Sequence, residues 1–308
     1  MKKKHSTLLI ILLFISVANS QKLVEKKIII NKHVEGTLLA PKPLLASSLV
    51  IFIGGSGPVD RNGNQIFAEN DMLKKIASSL TNKGISTFRY DKRVVKQINT
   101  KNMDEEILFD DFVEDTKSAI NFFRQTYDKI IIAGHSQGSL VGLLALDEKV
   151  AGFISMNGAG QTIDEIIKTQ ITKSAPSLAN QTIDVLNKLK KGETTTNYPI
   201  ALESIFNIKT QPFLISWMKY NPSEIIKKIN IPCLIIAGEN DLQMDVSESI
   251  MLDKSAQNSK LILIKKMNHI LFKIDGNKLE NLKSYNNKNL KVAEEVIEGI
   301  LDFIGQID

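Results

Sequence analysis

The chain has 308 residues, 39 Lys and Arg against 34 Asp and Glu, 43% hydrophobic residues and a single cysteine. That length is enough for one large domain with a well-buried core, and one cysteine excludes an intrachain disulfide. The lysines are scattered among acids, and no basic cluster is interleaved with aromatics, so the composition speaks against nucleic-acid binding.

The N-terminus reads as a secretory leader. Lys2, Lys3 and Lys4 form a basic start, Leu8 to Val17 an apolar core too short to span a bilayer comfortably, and Ala18-Asn19-Ser20 a small-x-small cleavage site. Cleavage is expected after Ser20, making residues 1–20 a signal peptide and Gln21 the first residue of the mature chain. An uncleaved anchor is the alternative. No cysteine follows the apolar core, which excludes lipoprotein processing. The mature protein is thus expected in the periplasm or outside the cell, with no stable membrane insertion. Losing three lysines and no acid takes the net charge from +5 to +2.

Strand and helix signals then alternate, the pattern of a mainly parallel sheet covered on both faces. Lys27 to Asn31 and His33 to Leu39 read as an entry hairpin, and Ser48 to Ile53 as a buried strand. A helix is expected from about Asp71 to Asn82, closed by Gly84, and a strand over Ile85 to Tyr90. Phe109, Phe112, Val113, Thr116, Ala119, Ile120 and Phe123 share one face of an amphipathic helix. Ile130 to Ala133 is an apolar strand running into Gly134-His135-Ser136-Gln137-Gly138, with a helix-like segment behind it; Val150 to Met156 is the next strand.

From Gln161 to Asn221 the alternation breaks. Helix-like pieces and three prolines replace strands, and Leu186, Phe206, Phe213, Leu214 and Trp217 supply apolar mass to pack. Residues 161–221 are expected to form a helical cap over a core made of 21–160 and 222–308. The alternation resumes with a strand at Pro232 to Ala237, a helix near Val246 to Ser255, a strand at Leu261 to Ile264 and a closing helix at Leu290 to Ile304. Cys233 lies within the first of these strands and reads as a buried, inert thiol.

Gly-x-Ser-x-Gly between a strand and a helix is the form of a nucleophile elbow. The turn is tight, the serine takes a strained conformation, and its neighbours must lack bulk. Ser136 is the expected nucleophile, with the backbone N–H of Gln137 beside it as an oxyanion donor. A serine hydroxyl needs a base, and the base needs an orienting acid. His5 leaves with the leader, His33 precedes the sheet proper, and His135 points away from its sequence neighbour. His269, after the last strand, is left as the base. Asp241, in Gly238-Glu239-Asn240-Asp241 after the Cys233 strand, is the expected acid, with Glu239 and Asp245 as rivals. The order Ser136, Asp241, His269 is that of the α/β-hydrolase arrangement. The second oxyanion donor is expected in Gly54-Gly55-Ser56-Gly57-Pro58, at the N–H of Ser56 or, failing that, of Gly55. A phosphate cradle is disfavoured, because no Gly-Lys-Ser/Thr follows these glycines.

The elbow, the loop Gly55-Ser56-Gly57-Pro58-Val59-Asp60-Arg61-Asn62-Gly63-Asn64 and the run Arg89-Tyr90-Asp91-Lys92-Arg93 together resemble bacterial α/β-hydrolase carboxylesterases, in the branch near the serine-aminopeptidase-like hydrolases. The resemblance spans essentially the whole mature chain. It implies an α/β-hydrolase fold with a cap between two late strands, a carboxylic ester hydrolase, and no metal or organic cofactor; the expected substrate is a small-molecule ester, with a short acyl chain. The same triad serves amidases, peptidases, thioesterases and acyltransferases, and a non-catalytic binder could keep the fold. Asp60, Arg61, Asp91 and Arg93 either line the pocket or tie the two loops together by ion pairs, and the tie is the expected role.

Overall fold

The computed structural model describes residues 22–42, 47–101 and 106–307; the expected leader lies outside them. The chain opens with β1 (Lys22–Ile29), β2 (Glu35–Lys42) and β3 (Ser48–Ile53), then α1 (Met72–Thr81), β4 (Ser86–Tyr90), α2 (Arg93–Thr100) and α3 (Phe109–Phe123). β5 (Lys129–His135), α4 (Gln137–Ala145) and β6 (Val150–Met156) follow. Five helices then come in a row: α5 (Ile163–Ser174), α6 (Ala179–Lys190), α7 (Glu203–Phe206), α8 (Gln211–Trp217) and α9 (Pro222–Ile226). The chain closes with β7 (Cys233–Gly238), α10 (Val246–Ser255), β8 (Ser259–Ile264), α11 (Lys278–Ser284) and α12 (Glu294–Gln306).

Among the described residues eight strands form one sheet, in the order β1-β2-β4-β3-β5-β6-β7-β8. Only β1–β2 and β2–β4 pair antiparallel; every other pair is parallel. Side chains alternate between faces along a strand, so a central strand must satisfy two cores. Leu49, Ile51 and Ile53 of β3 join Ile130 and Ile132 of β5 and Cys233 and Ile235 of β7 in one core, under α3 and α4. Val50, Phe52, Ile131, Ala133, Leu234 and Ile236 join the other, under α1 and α12. This two-sided burial explains why the central strands read as unbroken apolar runs.

The inserted helices carry their own small core, built from Ile167, Ile171, Val185, Leu186, Leu189, Leu202, Phe206, Leu214 and Met218. They meet the sheet layer through α8 on α3, where Trp217 stacks on Phe109 at 5.4 Å between ring centroids.

Three local features differ from expectation. The hairpin strands extend from Lys22 and to Lys42, in a largely exposed edge strand whose apolar alternation is weak. α2 and α11 have no counterpart among the expected elements: both are short, α2 fully buries only Arg93 with Val94, Val95 and Ile98 half-buried, and α11 fully buries only Asn281 and Ser284. The closing helix begins at Glu294 rather than Leu290. Val292 is bridged to Phe272, and the Ala293 N–H donates to the Leu271 carbonyl at 2.8 Å, which holds this stretch extended.

Candidate active site

Parallel strands place their C-terminal ends at one edge, so the segments leaving β3, β4, β5, β6, β7 and β8 all emerge there. At the exit of β5, Ser136 adopts φ 53 and ψ −119 immediately before α4. Such a conformation costs about 1–3 kcal/mol for a residue with a Cβ, and surrounding structure must enforce it. The Ser136 N–H donates to the Met156 carbonyl at 2.9 Å. A Cβ on Gly134 would sit 2.2 Å from the Gly138 carbonyl oxygen, and one on Gly138 would sit 2.4 Å from the Ile53 carbonyl oxygen. The two glycines therefore let the turn close on itself and on β3.

His269 and Asp241 meet from different loops. His269 Nδ1 lies 2.6 Å from Asp241 Oδ2, with the two side chains 5% and 1% exposed. The other carboxylate oxygen, Oδ1, accepts from the N–H groups of Gln243 at 2.7 Å and Met244 at 2.9 Å. A carboxylate can only accept, so the imidazole proton sits on Nδ1 and Nε2 is left as a base. Of the rival acids, Asp245 caps α10 by accepting from the Ser247 N–H at 3.0 Å, and Glu239 is exposed.

Ser136 and His269 face the same two spaces. One is a recess of about 90 Å³ whose walls include Gly55, Ser56, His135 and Tyr285. The other is an apolar cavity of about 470 Å³ beneath the inserted helices, bounded by Ser56, Gln137, Ile163, Ile167, Phe213 and Trp217 among others. Ser56 and Gln137 thus flank Ser136 in the larger space. Gln137 is the first residue of α4, where a backbone N–H has no helical partner. A Cβ on Gly55 would come within 3.3 Å of Ser136 Cβ, so the loop lies directly against the elbow.

Several residues at this edge escaped the sequence reading. His135 does more than occupy the elbow: its Nε2–H donates to the His269 carbonyl at 2.7 Å. Burial first, and the neighbouring imidazole second, depress its pKa to about 3, so the ring is neutral. Asn157 donates to the carbonyls of Asn268 at 3.1 Å and His269 at 2.9 Å, and accepts from the Gly238 N–H at 2.9 Å. One amide thus joins the Asp241 and His269 loops to the end of β6. Lys92 lies buried under the Gly55 loop. A side chain whose partners lie on distant loops leaves no trace in local periodicity.

The expected tie between the two charged loops is made by one pair. Arg61 ion-pairs with Asp91 through Nε at 3.0 Å and its terminal nitrogen, and its own N–H donates to Asp91 Oδ1 at 2.7 Å. Asp60 instead closes its own turn on the N–H groups of Asn62 and Asn64, both at 2.8 Å. Arg93 reaches away to Asp111 and Asp115 of α3.

No family model matches the chain. The esterase EstD of Thermotoga maritima is 26% identical over 265 residues, 82% of this chain. The chain spans only 61% of that relative's length. Among solved structures, Est1E of Butyrivibrio proteoclasticus superposes with a TM-score of 0.56 at 16% identity, over 91% of this chain and 99% of that one. The fold is that of an α/β-hydrolase. An esterase of Pyrococcus furiosus matches similarly, with a TM-score of 0.55 at 14% identity over 93% and 92% of the two chains. In this fold ligands meet the C-terminal edge of the sheet, where this chain gathers Ser136, Asp241 and His269. Among the described residues no cluster of His, Cys, Asp and Glu could hold a metal ion, and no helix is long and apolar enough to cross a membrane.

Proposed function

We propose that this chain is a serine hydrolase that cleaves carboxylic esters through Ser136, His269 and Asp241. The observation that carries the reading is the buried 2.6 Å pair between Asp241 and His269 opening onto a space shared with the strained Ser136. His269 Nε2 takes the proton of Ser136 Oγ as the oxygen attacks the acyl carbonyl. The N–H groups of Ser56 and Gln137 receive the oxyanion. The tetrahedral adduct collapses, His269 protonates the departing alcohol, and an acyl group remains on Ser136. Water, deprotonated by the same imidazole, then releases the acid and restores the serine. The esterase name of the sequence relative gives this reading further support.

In this reading residues 161–221 are a cap, residues 21–160 and 222–308 are the catalytic core, and the N-terminal leader exports the protein. The recess of about 90 Å³ suits a short acyl group, and the larger apolar cavity under the inserted helices takes the alcohol. The test is hydrolysis of p-nitrophenyl esters from acetate to palmitate, beside an aminoacyl amide and a thioester, by the wild type and by Ser136→Ala. Ester turnover that falls off beyond short chains and vanishes in the variant is expected. Turnover of the amide or thioester alone, or ester turnover that survives in Ser136→Ala, overturns the reading.

A further inference from the structure

Lys92 follows β4 and is 4% exposed, an unusual place for an ammonium. Its Nζ donates to the Gly55 carbonyl at 2.8 Å and to the Gln137 side-chain oxygen at 2.6 Å. It also lies over the Phe112 ring, 4.2 Å from the centroid. Burial lowers its pKa to about 7. A methionine of similar length would fill the same space without desolvating a charge, so what the ammonium holds must explain its presence.

What it holds are the two segments that carry the proposed oxyanion donors. A trans peptide is planar, with its C=O and N–H pointing in opposite directions. The Gly55 carbonyl and the Ser56 N–H are the two ends of one such plane. Gripping the carbonyl from below fixes the N–H on the opposite side, toward the face that Ser56 presents to the cavity. The grip matters here because Gly54 and Gly55 precede this peptide and Gly57, at φ +82, follows it, so the loop has little conformational preference of its own. The N–H donated to the carbonyl also polarises the amide and strengthens its own N–H as a donor. The second bond reaches Gln137, whose backbone N–H is the other donor. The next peptide of the loop is pinned separately, by Gln65 Nε2 donating to the Ser56 carbonyl at 3.0 Å.

We propose that Lys92 is a positioning residue of the oxyanion hole, setting the orientation of the Gly55–Ser56 peptide and its spacing from the N-terminus of α4. It rests on the ester-hydrolase reading above. Lys92 acts through the two amides and touches neither Ser136 nor the acyl group. Its effect therefore belongs to the transition state, where the oxyanion exists, and not to ground-state binding.

The test measures kcat and KM for p-nitrophenyl acetate, and Ki for an aryl trifluoromethyl ketone, in the wild type, Lys92→Met, Lys92→Gln and Ser136→Ala. The ketone forms a reversible adduct whose oxyanion mimics the intermediate. In Lys92→Met, kcat is expected to fall by about 10- to 100-fold, KM to stay within about 2-fold, and Ki to rise by the factor that kcat/KM loses. Lys92→Gln, which keeps an uncharged donor, is expected to lie between and carries the same test should Lys92→Met not fold. A folded variant with wild-type kcat and Ki overturns the proposal, as does a loss confined to KM. Absence of Ser136-dependent turnover in the wild type is a different failure, and removes the ester-hydrolase reading itself.

Discussion

The two walls of the larger cavity are built on different principles. The sheet edge below is held by buried polar bonds between side chains and main chain: His135 on the His269 carbonyl, Asn157 across two loops, Lys92 on the Gly55 carbonyl, the Asp91 carboxylate on the Arg61 N–H. The inserted helices above are held by a small apolar core of their own. Among the described residues their polar ties to the sheet layer lie around its margin: the Phe109 N–H donates to Ser216 Oγ at 2.8 Å, Gln170 to the Gln243 carbonyl at 2.8 Å, Gln161 to Glu248 and Tyr220 to Asp110. Directional bonds fix atoms to within a few tenths of an ångström, whereas apolar packing tolerates exchange of side chains of similar volume. Chemistry needs the first and accommodation of different substrates the second. The two walls should therefore respond differently to substitution.

The sharpest divergence is expected at the sheet edge. Ser136→Ala should leave the fold intact and lower ester kcat by about 10⁴-fold or more, read by kinetics and circular dichroism together. Asp241→Asn should cost about 10³- to 10⁴-fold. Its Oδ1 can still accept from Gln243 and Met244, but an amide N–H₂ then faces His269 Nδ1 and favours the wrong tautomer. Near-normal activity in Asp241→Asn would move the orienting role to another acid. Across the cavity, Leu189→Ala, at a fully buried position of the insertion, should destabilise by about 2–5 kcal/mol while acetate-ester kcat stays within a few-fold. Selectivity among longer or bulkier esters should change in the same variant. A collapse of acetate turnover there would mean that the insertion helps to build the chemistry.

Smaller effects are expected from pH. His135 is held neutral with a pKa near 3, against about 6.5 in the unfolded chain. Between these values the unfolded state binds a proton that the folded state does not, so stability present above pH 6.5 is lost as pH falls toward 3. Lys92 behaves alike in a higher window. With a folded pKa of about 7 against 10.5 unfolded, stability rises with pH between them. Its contacts are the Gly55 carbonyl, the Gln137 amide and the Phe112 ring, while Glu106 and Lys209 line the cavity beside it. Each group contributes a slope of at most about 1.4 kcal/mol per pH unit. Urea titrations of the wild type, Lys92→Met and His135→Asn should show each variant lacking the slope of its own window.

Most of the architecture was legible because the central strands face two cores, which turns them into runs such as Ser48 to Ile53 and Cys233 to Ala237. The elbow was legible for a local reason: Gly134 and Gly138 are demanded by backbone contacts within four residues and with β3. Asp241 and His269 could be read from their places after strands, though not from anything in their own neighbourhoods. Lys92, His135 and Asn157 could not, because each acts on main-chain atoms that the fold alone brings near. In sequence Lys92 is one charge in Arg89-Tyr90-Asp91-Lys92-Arg93, indistinguishable from the ion-pairing Asp91 and Arg93 beside it. α2 and α11 escaped because they are only 8 and 7 residues long, too short for a helical period to stand out.

The most direct test of the catalytic arrangement is labelling of the folded protein with a fluorophosphonate, followed by peptide mapping. A single adduct on Ser136, formed rapidly in the wild type and far more slowly in His269→Ala, is the expected result. An adduct on another residue, or none on a folded wild-type protein, would contradict the assignment of Ser136 and His269 as nucleophile and base.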